Sequence, residues 1–301
     1  MTAAAAPGRR WHRPSGTSRS SVFAAEVTPA TAGWAYCSLR VLELDPGAAV
    51  SLSTGPEEML VLPLAGSCTV DVDGERLALA GRRGVFSRVT DFGYLPRDAA
   101  VTVESAGGGR FALPGALAQR RLPPRYGPAD QVPVEIRGAG QAARQVNNFC
   151  APDAFPADRL VAVEVLTPAG NWSSYPPHKH DAARPGEAVL EEIYYFEVGP
   201  GPDSPGLGYQ RVYASDPGRP IDVLAEVRTG DVVLVPHGYH GPSMAAPGYP
   251  LYYLNVLAGP AAERSMSFCD DPAHAWIRGS WAGQPPDPRL PMTTHEEAPC
   301  G

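Results

Sequence analysis

The sequence predicts an all-β protein built from two similar antiparallel barrels. Its 34 prolines and 32 glycines interrupt the chain every few residues, and both residue types favour turns over the interior of regular elements. The apolar segments between them are short and rich in Val, Leu, Tyr and Phe, which favour strands. Turn signals recur about every ten residues, a spacing typical of meanders and barrels.

The first half contains a series of short strand patterns, each bounded by turn residues. Strands are predicted at residues 38–44, 59–64, 68–72, 76–80, 84–88 and 100–104. The turn signals between them include Asp45-Pro46-Gly47, Ala65-Gly66-Ser67 and Asp73-Gly74. These dipeptides and tripeptides supply the backbone angles that tight turns require.

The second half repeats this style. Strands are predicted near residues 159–166, 192–198, 208–213, 223–227, 231–235 and 251–256. Between the halves, glycines 107 to 109 and the Pro-rich stretch 122–128 break any regular pattern, which indicates a linker or crossover over about residues 106–145. We therefore predict an N-terminal barrel over residues 1–140 and a C-terminal barrel over residues 141–301.

Three histidines and one carboxylate in the second half predict a metal site. His178 and His180 are two residues apart, so on a strand their side chains share one face. Glu192 opens a β-rich run and His240 follows a Pro-x-Gly turn, so neighbouring strands can bring both to that face. A His-x-His pair also occurs by chance in surface loops. The prediction of a metal site therefore depends on all three histidines and the carboxylate together.

Imidazoles and a carboxylate suit one divalent ion. Zinc and manganese are the favoured candidates, and iron and nickel are also compatible with these ligand types. The first half has no histidine after His12, although Glu57 and Glu58 stand where a corresponding carboxylate would fall. We therefore expect the C-terminal barrel alone to hold metal and the N-terminal barrel to support it.

Composition and charge exclude several other classes of protein. The net charge is −7 and no basic stripe is present, which argues against a nucleic-acid partner. Alanines 3 to 6 are too few for a signal-peptide core, and no apolar run approaches the roughly 18 residues that cross a membrane. The five cysteines, of which Cys300 is the last, are scattered without a Cys-x-x-Cys pair. Together these features predict a cytoplasmic protein with reduced thiols and no membrane contact.

Two stretches resemble the motifs of the cupin family. Residues 177–192 are similar to the first motif, His-x-His followed by a carboxylate, and residues 230–240 are similar to the second. Further stretches resemble the 5-deoxy-glucuronate isomerases of myo-inositol catabolism, a bicupin family related to 4-deoxy-uronate isomerases. The matching stretches are residues 167–181, 191–196, 210–213, 252–255 and 287–291, with Gly66, Gly81-Arg82 and residues 91–96 in the first half.

This resemblance implies a two-cupin fold and an aldose-to-ketose isomerisation of a small acid sugar. The reaction converts 5-deoxy-D-glucuronate into 5-dehydro-2-deoxy-D-gluconate, and a divalent ion polarises the carbonyl and stabilises the developing enediolate. The implied ligands are His178, His180, Glu192 and His240. The spacing from His180 to Glu192 is longer than usual for cupins, which leaves Glu191 as an alternative. The chain is also compatible with a homo-oligomer.

Substrate contacts are expected from four residues. Tyr194 shares a face with Glu192 and could donate to substrate, or it could be a barrel-core aromatic. Arg211 is the candidate for binding the uronate carboxylate, with a surface arginine as the alternative. Tyr253 and Asn255 alternate together on their strand and could line the cavity. Five residues close in sequence to the predicted ligands are candidates for proton transfer, and the sequence does not choose among them. They are Asp181, Glu187, Glu191, Tyr194 and His237.

Two other functions remain compatible with three histidines and a glutamate. One is a metal-dependent cupin dioxygenase, which metal content and oxygen uptake would distinguish. The other is a non-catalytic sugar-binding cupin, which a charged residue inside the cavity would argue against.

Overall fold

The computed structural model describes residues 10–296, so alanines 3 to 6 and Cys300 lie outside the described residues. The described chain is an all-β protein. It contains four antiparallel sheets and two four-residue helices, α1 (Pro29–Ala32) and α2 (Ile277–Ser280). Neither helix is long enough to span a membrane, and no other helix within residues 10–296 is either.

The first half forms a nine-stranded sheet around its own apolar core. Its strands follow β1, which pairs with the second half. In chain order, the first ten strands are β1 (His12–Arg13), β2 (Ala25–Val27), β3 (Cys37–Leu44), β4 (Ala48–Ser53), β5 (Glu57–Val72), β6 (Glu75–Arg82), β7 (Phe92–Leu95), β8 (Ala100–Ser105), β9 (Gly109–Leu117) and β10 (Arg125–Gly127).

The second half forms a seven-stranded and a six-stranded sheet, with a small hairpin beside them. Its strands are β11 (Val134–Arg137), β12 (Arg144–Asn147), β13 (Val161–Thr167), β14 (Trp172–Ser173), β15 (His178–Lys179), β16 (Asp181–Arg184), β17 (Glu187–Val189), β18 (Glu191–Val198), β19 (Gly208–Tyr213), β20 (Asp222–Val227), β21 (Val232–Val235), β22 (Tyr239–Ala245), β23 (Leu251–Ala258) and β24 (Cys269–Asp270). Each of the six strands predicted here coincides with an observed one.

Three expectations for the first part of the chain are wrong. Residues 65–67 do not turn, because β5 continues through them with a register shift between Gly66 and Cys68. A Cβ on Gly66, whose φ is +90°, would lie 2.5 Å from the carbonyl oxygen of Gly108, so the bulge requires glycine. Residues 84–88 form a turn rather than a strand.

The third error concerns the linker or crossover predicted over about residues 106–145, of which the linker alternative is wrong, because strands β9 to β12 lie in or begin within that stretch. Strand β10 pairs with β7 of the first half, whereas β11 pairs with β12 of the second. The crossover between sheets therefore falls between β10 and β11. Most of the glycines and prolines that suggested a linker lie in the short connections between these strands, whereas Gly109 begins β9 and Gly127 ends β10.

A shared core joins the two halves. Strands β3 and β9 of the first half contact β18 and β23 of the second, and buried side chains from all four strands form one cluster. An ion pair between Arg82 and Glu164, 2.8 Å apart and fully buried, crosses this interface. The seven-stranded sheet thus has one face in the shared core, and its other face, which carries Glu192 and Tyr194, points into the second half.

Candidate metal centre

Three strands of the second half bring the predicted ligands together. Strand β15 pairs with β22 so that His178 lies directly opposite His240. Glu192 lies at the start of β18, opposite Val235 of β21. The carbonyl oxygen of Ser174 would be only 1.8 Å from a Cβ on Gly241, whose φ is +96°, so glycine lets β22 approach the segment that leads into β15.

The cluster is compact and buried. Nε2 of His180 and Nε2 of His240 each lie 3.0 Å from Oε2 of Glu192. Ligand atoms of these three residues all lie within 4.8 Å of one another. His178 is outside this three-residue group, but its ring centroid is 4.5 Å from that of His240 and it lines the same cavity.

Backbone carbonyl groups determine which nitrogen of each ring carries the proton. Nδ1 of His178 is 3.1 Å from the oxygen of Pro176, Nδ1 of His180 is 3.0 Å from that of Leu190, and Nδ1 of His240 is 3.3 Å from that of Gly238. A carbonyl oxygen only accepts, so each Nδ1 carries a proton, and in the neutral ring each Nε2 then has a free lone pair. Such backbone contacts are typical of metal-binding histidines.

The Nε2 lone pairs therefore face a carboxylate that also only accepts. Nε2 of His240 is buried and makes no hydrogen bond with the described residues, although Oε2 of Glu192 is 3.0 Å away. A cation between these atoms would satisfy all of them at once, because imidazole nitrogens and a carboxylate oxygen are good ligands for divalent ions. The residues present thus fit a metal ion.

Electrostatics favour a neutral His178 and an ionised Glu192. Burial lowers the pKa of His178 well below its ordinary value, and the neighbouring His240 adds to the shift, so this imidazole stays neutral. Burial alone would raise the pKa of Glu192, but His240 and His180 outweigh it and hold that pKa well below its usual range. Glu192 is therefore an anion at neutral pH. Burial alone would lower the pKa of His180, but its hydrogen bond to Glu192 and the charge of that carboxylate outweigh burial and raise it.

A cavity of about 520 Å³ opens onto the cluster. Tyr194, Tyr253 and Asn255 line it, as the strand alternation predicted. The Tyr194 hydroxyl lies 2.9 Å from Oγ of Ser174. Burial, together with the charge of Glu192, raises the pKa of Tyr194 well above its ordinary value, so its hydroxyl keeps its proton.

Arg211 does not line this cavity. On β19, Gln210 and Val212 are buried while Arg211 and Tyr213 alternate to the other face. The Arg211 guanidinium forms an ion pair with the exposed Asp222 on the neighbouring strand. The expectation that Arg211 binds the carboxylate of the substrate is therefore wrong, because a side chain on the outer face cannot reach a molecule inside the cavity.

Of the five proton-transfer candidates, Tyr194 alone lines the cavity. Asp181 and Glu187 bind Nζ of Lys179 at 2.5 and 2.6 Å. Glu191 accepts backbone N–H groups from the first half, and the ring of His237 is 3.1 Å from the carbonyl oxygen of Arg219. The register places Glu192, not Glu191, in the cluster.

Sequence reasoning missed a group of charged residues at the cavity wall. Glu135, Arg137 and Arg144 come from β11 and β12, in the stretch interpreted as a linker, and Arg278 comes from α2. The alternation of Val134-Glu135-Ile136-Arg137 was a strand signal that could have revealed β11. Nothing local marks Arg144 as a cavity residue.

Comparison with known proteins shows the family of this chain. Residues 11–277 match the KduI/IolB family. The chain belongs to this family. Relatives include the 5-deoxy-glucuronate isomerase of Geobacillus kaustophilus, 43% identical over 84% of this chain and 90% of that protein, and that of Bacillus subtilis strain 168, 40% identical over 84% and 91%.

Solved structures agree on the fold. An IolB-like protein from Salmonella typhimurium superimposes with a TM-score of 0.80 at 33% identity, covering 89% of this chain and 98% of that one. The oxalate decarboxylase of Lactobacillus farciminis has a TM-score of 0.61 at 14% identity and covers 86% of this chain and 88% of its own. The second likeness concerns the fold alone, which is cupin-like.

Proposed function

We propose that this KduI/IolB protein is a 5-deoxy-glucuronate isomerase, an aldose-ketose isomerase that converts 5-deoxy-D-glucuronate into 5-dehydro-2-deoxy-D-gluconate in myo-inositol catabolism. The observation that carries the proposal is the buried cluster of His180, Glu192 and His240 beside a cavity. The Nε2 atoms of the two histidines both lie next to the Glu192 carboxylate. The relatives that bear this enzyme name are about as long as this chain and align with most of it.

The proposed metal ligands are His178, His180, Glu192 and His240. His178 is included because it lies opposite His240 in the strand register and because its Nδ1, like that of the other two histidines, contacts a backbone carbonyl. The ion is one divalent metal per chain, with zinc or manganese favoured and iron or nickel compatible with the ligands. When bound, it supplies Lewis-acid polarisation of the sugar carbonyl.

The chain's own residues would position the sugar. Tyr194 keeps its hydroxyl proton and can donate it in a hydrogen bond to a substrate oxygen. The amide nitrogen of the Asn255 side chain is buried without a hydrogen-bond acceptor among the described residues, so it has capacity for a ligand oxygen. Tyr253 lies on the same face of β23 as Asn255. Apolar side chains of Val163, Val165 and Leu257 complete the wall and limit water around the reacting carbons.

An isomerase assay with and without a chelator tests this function. Wild-type protein should convert 5-deoxy-D-glucuronate, lose the activity with the chelator, and regain it with zinc or manganese. His180→Ala should lose metal and activity together. His237→Ala is the matched control, because His237 lies in the second motif but outside the cluster, and it should keep both.

Failure of wild-type protein to isomerise this sugar, together with metal-dependent oxygen consumption, would favour the dioxygenase alternative instead. Stoichiometric metal binding with neither reaction would favour a sugar-binding protein. Measuring oxygen uptake in the same samples therefore separates the three functions.

We also propose that the two halves are two cupin barrels, with the metal in the second, divided near residue 140. The pairing of β10 with the first half and β11 with the second supports a boundary between residues 127 and 134, somewhat before that position. A cytoplasmic location is proposed as well, and the buried free thiols of Cys37, Cys68 and Cys150 are consistent with it. The proposed partner is the small acid sugar, with neither nucleic acid nor membrane, and a homo-oligomer is compatible.

A further inference from the structure

A buried arginine, Arg144, lies in the wall of the substrate cavity. Arg144 is 8% exposed. Its Nη1 donates to the carbonyl oxygens of Ala142 and Tyr175 at 3.2 and 3.5 Å, and no carboxylate among residues 10–296 forms an ion pair with it. A buried charge that is not paired is costly, so such a group is expected to meet an anion when the site is filled.

The neighbours of Arg144 in the cavity wall include two further arginines and the carboxylate of Glu135. Arg137 lies directly opposite Arg144 on β11, and Arg278 contributes a third positive charge to the same part of the cavity wall. Arg137 is paired with Glu135 at 2.8 Å and Arg278 with Asp270 at 2.8 Å, so both have their own carboxylates. Arg144 is thus the charge of this group that is left for a ligand.

One side of the guanidinium is held by a close backbone approach. A Cβ on Gly138, whose φ is +78°, would lie 2.9 Å from Nη1 of Arg144 and 2.2 Å from the carbonyl oxygen of Ala142, so this approach requires glycine. The indole ring of Trp281 is 6.0 Å from the guanidinium carbon of Arg144 and faces Arg278 at 5.5 Å. Nη2 and Nε of Arg144 make no hydrogen bond with the described residues, which leaves one edge of the fork free.

Tyr253 connects Arg144 with the metal-binding cluster. Burial raises the pKa of Tyr253 to about 12, and the charges of Arg144 and Glu192 act on its hydroxyl in opposite directions. The strand register places Tyr253 between the two. Val165 pairs with both Tyr253 and Val146, which is two residues from Arg144, and Leu257, four residues farther along β23, pairs with Glu192. The cavity has a cationic end and a metal-binding end, as a molecule with a carboxylate at one end and a carbonyl at the other requires.

We propose that Arg144 binds the carboxylate of the acid sugar through the free edge of its guanidinium, with the carbonyl end of the sugar at the His180–Glu192–His240 cluster. This inference deepens the proposed isomerase function and rests on it. Arg144 is a substrate-binding residue that selects acid over neutral sugars. The contact is charge-assisted and partly shielded from water, so it contributes more than a neutral hydrogen bond does.

Sugar preference in Arg144 variants tests the proposal. Arg144→Met should lower kcat/KM for 5-deoxy-D-glucuronate by about 10- to 100-fold, as expected for a lost charge-assisted contact, and should change it little for 5-deoxy-D-glucose, which has no carboxylate. Arg144→Lys keeps the charge without the fork and should fall between wild type and Arg144→Met. Arg211→Met is the matched control, because Arg211 is outside the cavity, and it should keep the wild-type preference.

Binding of a non-reacting acid separates this proposal from the isomerase function. Calorimetry on metal-loaded protein measures binding of D-gluconate and, as the neutral comparison, of D-sorbitol. D-gluconate should bind more weakly to Arg144→Met than to wild type, and its binding to Arg211→Met should be unchanged. If wild type isomerises the acid sugar and Arg144→Met keeps its full kcat/KM, the Arg144 role is wrong and the isomerase function stands. If wild type isomerises neither sugar but binds D-gluconate through Arg144, the isomerase function fails and the anion site stands.

Metal content and thermal unfolding show whether each variant is folded. If Arg144→Met does not fold, Arg144→Lys decides the question by itself. A reduced preference of Arg144→Lys for acid over neutral sugar supports the proposal, and an unchanged preference overturns it.

Discussion

The two halves of the chain have the same arrangement of central strands, and only one of them carries the imidazole and carboxylate cluster. In the first half β9 lies between β3 and β5, and in the second β23 lies between β13 and β18. The first residue of β18, Glu191, pairs with Ala258, and its counterpart in β5 is Glu58, which pairs with Ala116. The correspondence is clearest at these two glutamates.

Each of the two glutamates binds the start of a strand in the other half. Glu58 accepts hydrogen bonds from the backbone N–H groups of Asp158, Arg159 and Leu160, at 2.9, 2.5 and 2.7 Å. Glu191 accepts them from Ala35, Tyr36 and Cys37, at 2.7, 2.7 and 2.9 Å. The contacts are reciprocal, so Glu58 and Glu191 hold equivalent positions.

The residue that follows each glutamate explains why the halves differ. After Glu191 comes Glu192, the carboxylate of the cluster, and after Glu58 comes Met59, which is 1% exposed in the apolar core. The sequence suggestion that Glu57 or Glu58 corresponds to the metal-binding carboxylate is therefore wrong, because Glu57 pairs with Arg40 and Glu58 binds the other half. One arrangement of strands can thus support either an apolar core or a polar site.

The largest expected effect comes from replacing Glu192 of the second half with methionine, the residue type at the equivalent position 59 of the first half. Glu192→Met should reduce the metal content from one ion per chain to none and lower the isomerase activity by about 1,000-fold, because Lewis-acid stabilisation of several kcal/mol is lost. Met59→Leu is the control and should leave both unchanged, at a stability cost below about 1.5 kcal/mol. Metal analysis and steady-state kinetics measure these quantities, and full metal occupancy in Glu192→Met would contradict the ligand assignment.

Metal removal should affect the halves unequally. At a free metal concentration of about 100 times Kd, binding stabilises the folded protein by about 2.7 kcal/mol, and a chelator removes this contribution. Hydrogen exchange should then become faster in β15 and β22, which carry His178 and His240, while β5 and β9 keep their protection. Equal loss of protection in the two halves would show that the metal supports the whole molecule. Glu192→Met should not respond to the chelator.

The smallest effect on the metal centre is expected from the two reciprocal glutamates. Glu58→Gln and Glu191→Gln should each lower the free energy of unfolding by about 1.5 to 3 kcal/mol, because charge-assisted hydrogen bonds to backbone N–H groups are lost. The loss should be larger for Glu58, which is fully buried and also accepts a hydrogen bond from the Tyr94 hydroxyl at 2.6 Å. Urea denaturation measures the loss, and metal content should stay at one ion per chain in both variants. A metal-free Glu191→Gln would make Glu191 a ligand instead.

The sequence was sufficient to predict the all-β class and the place of the metal-binding cluster. Alternation with a period of two puts His178 and His180 on one face, and it groups Glu192 with Tyr194 and Tyr253 with Asn255, because strand geometry is local. The turns at Asp45-Pro46-Gly47 and Asp73-Gly74 were also predictable from the sequence, since these residue types favour turn conformations wherever they occur. Family membership follows from motifs of this local kind.

Tertiary structure decided which face of each strand points inward and which charges are paired. Alternation groups Arg211 with Tyr213 but does not say that this face is outside, so a correct strand led to a wrong site residue. Arg144 is distinguished by having no ion-pair partner among residues 10–296, which depends on every described segment packed around it. Met59 and Glu192 occupy equivalent positions only because two distant strands share one register. Periodicity is a property of a few neighbouring residues, whereas burial and charge pairing depend on the whole packed chain.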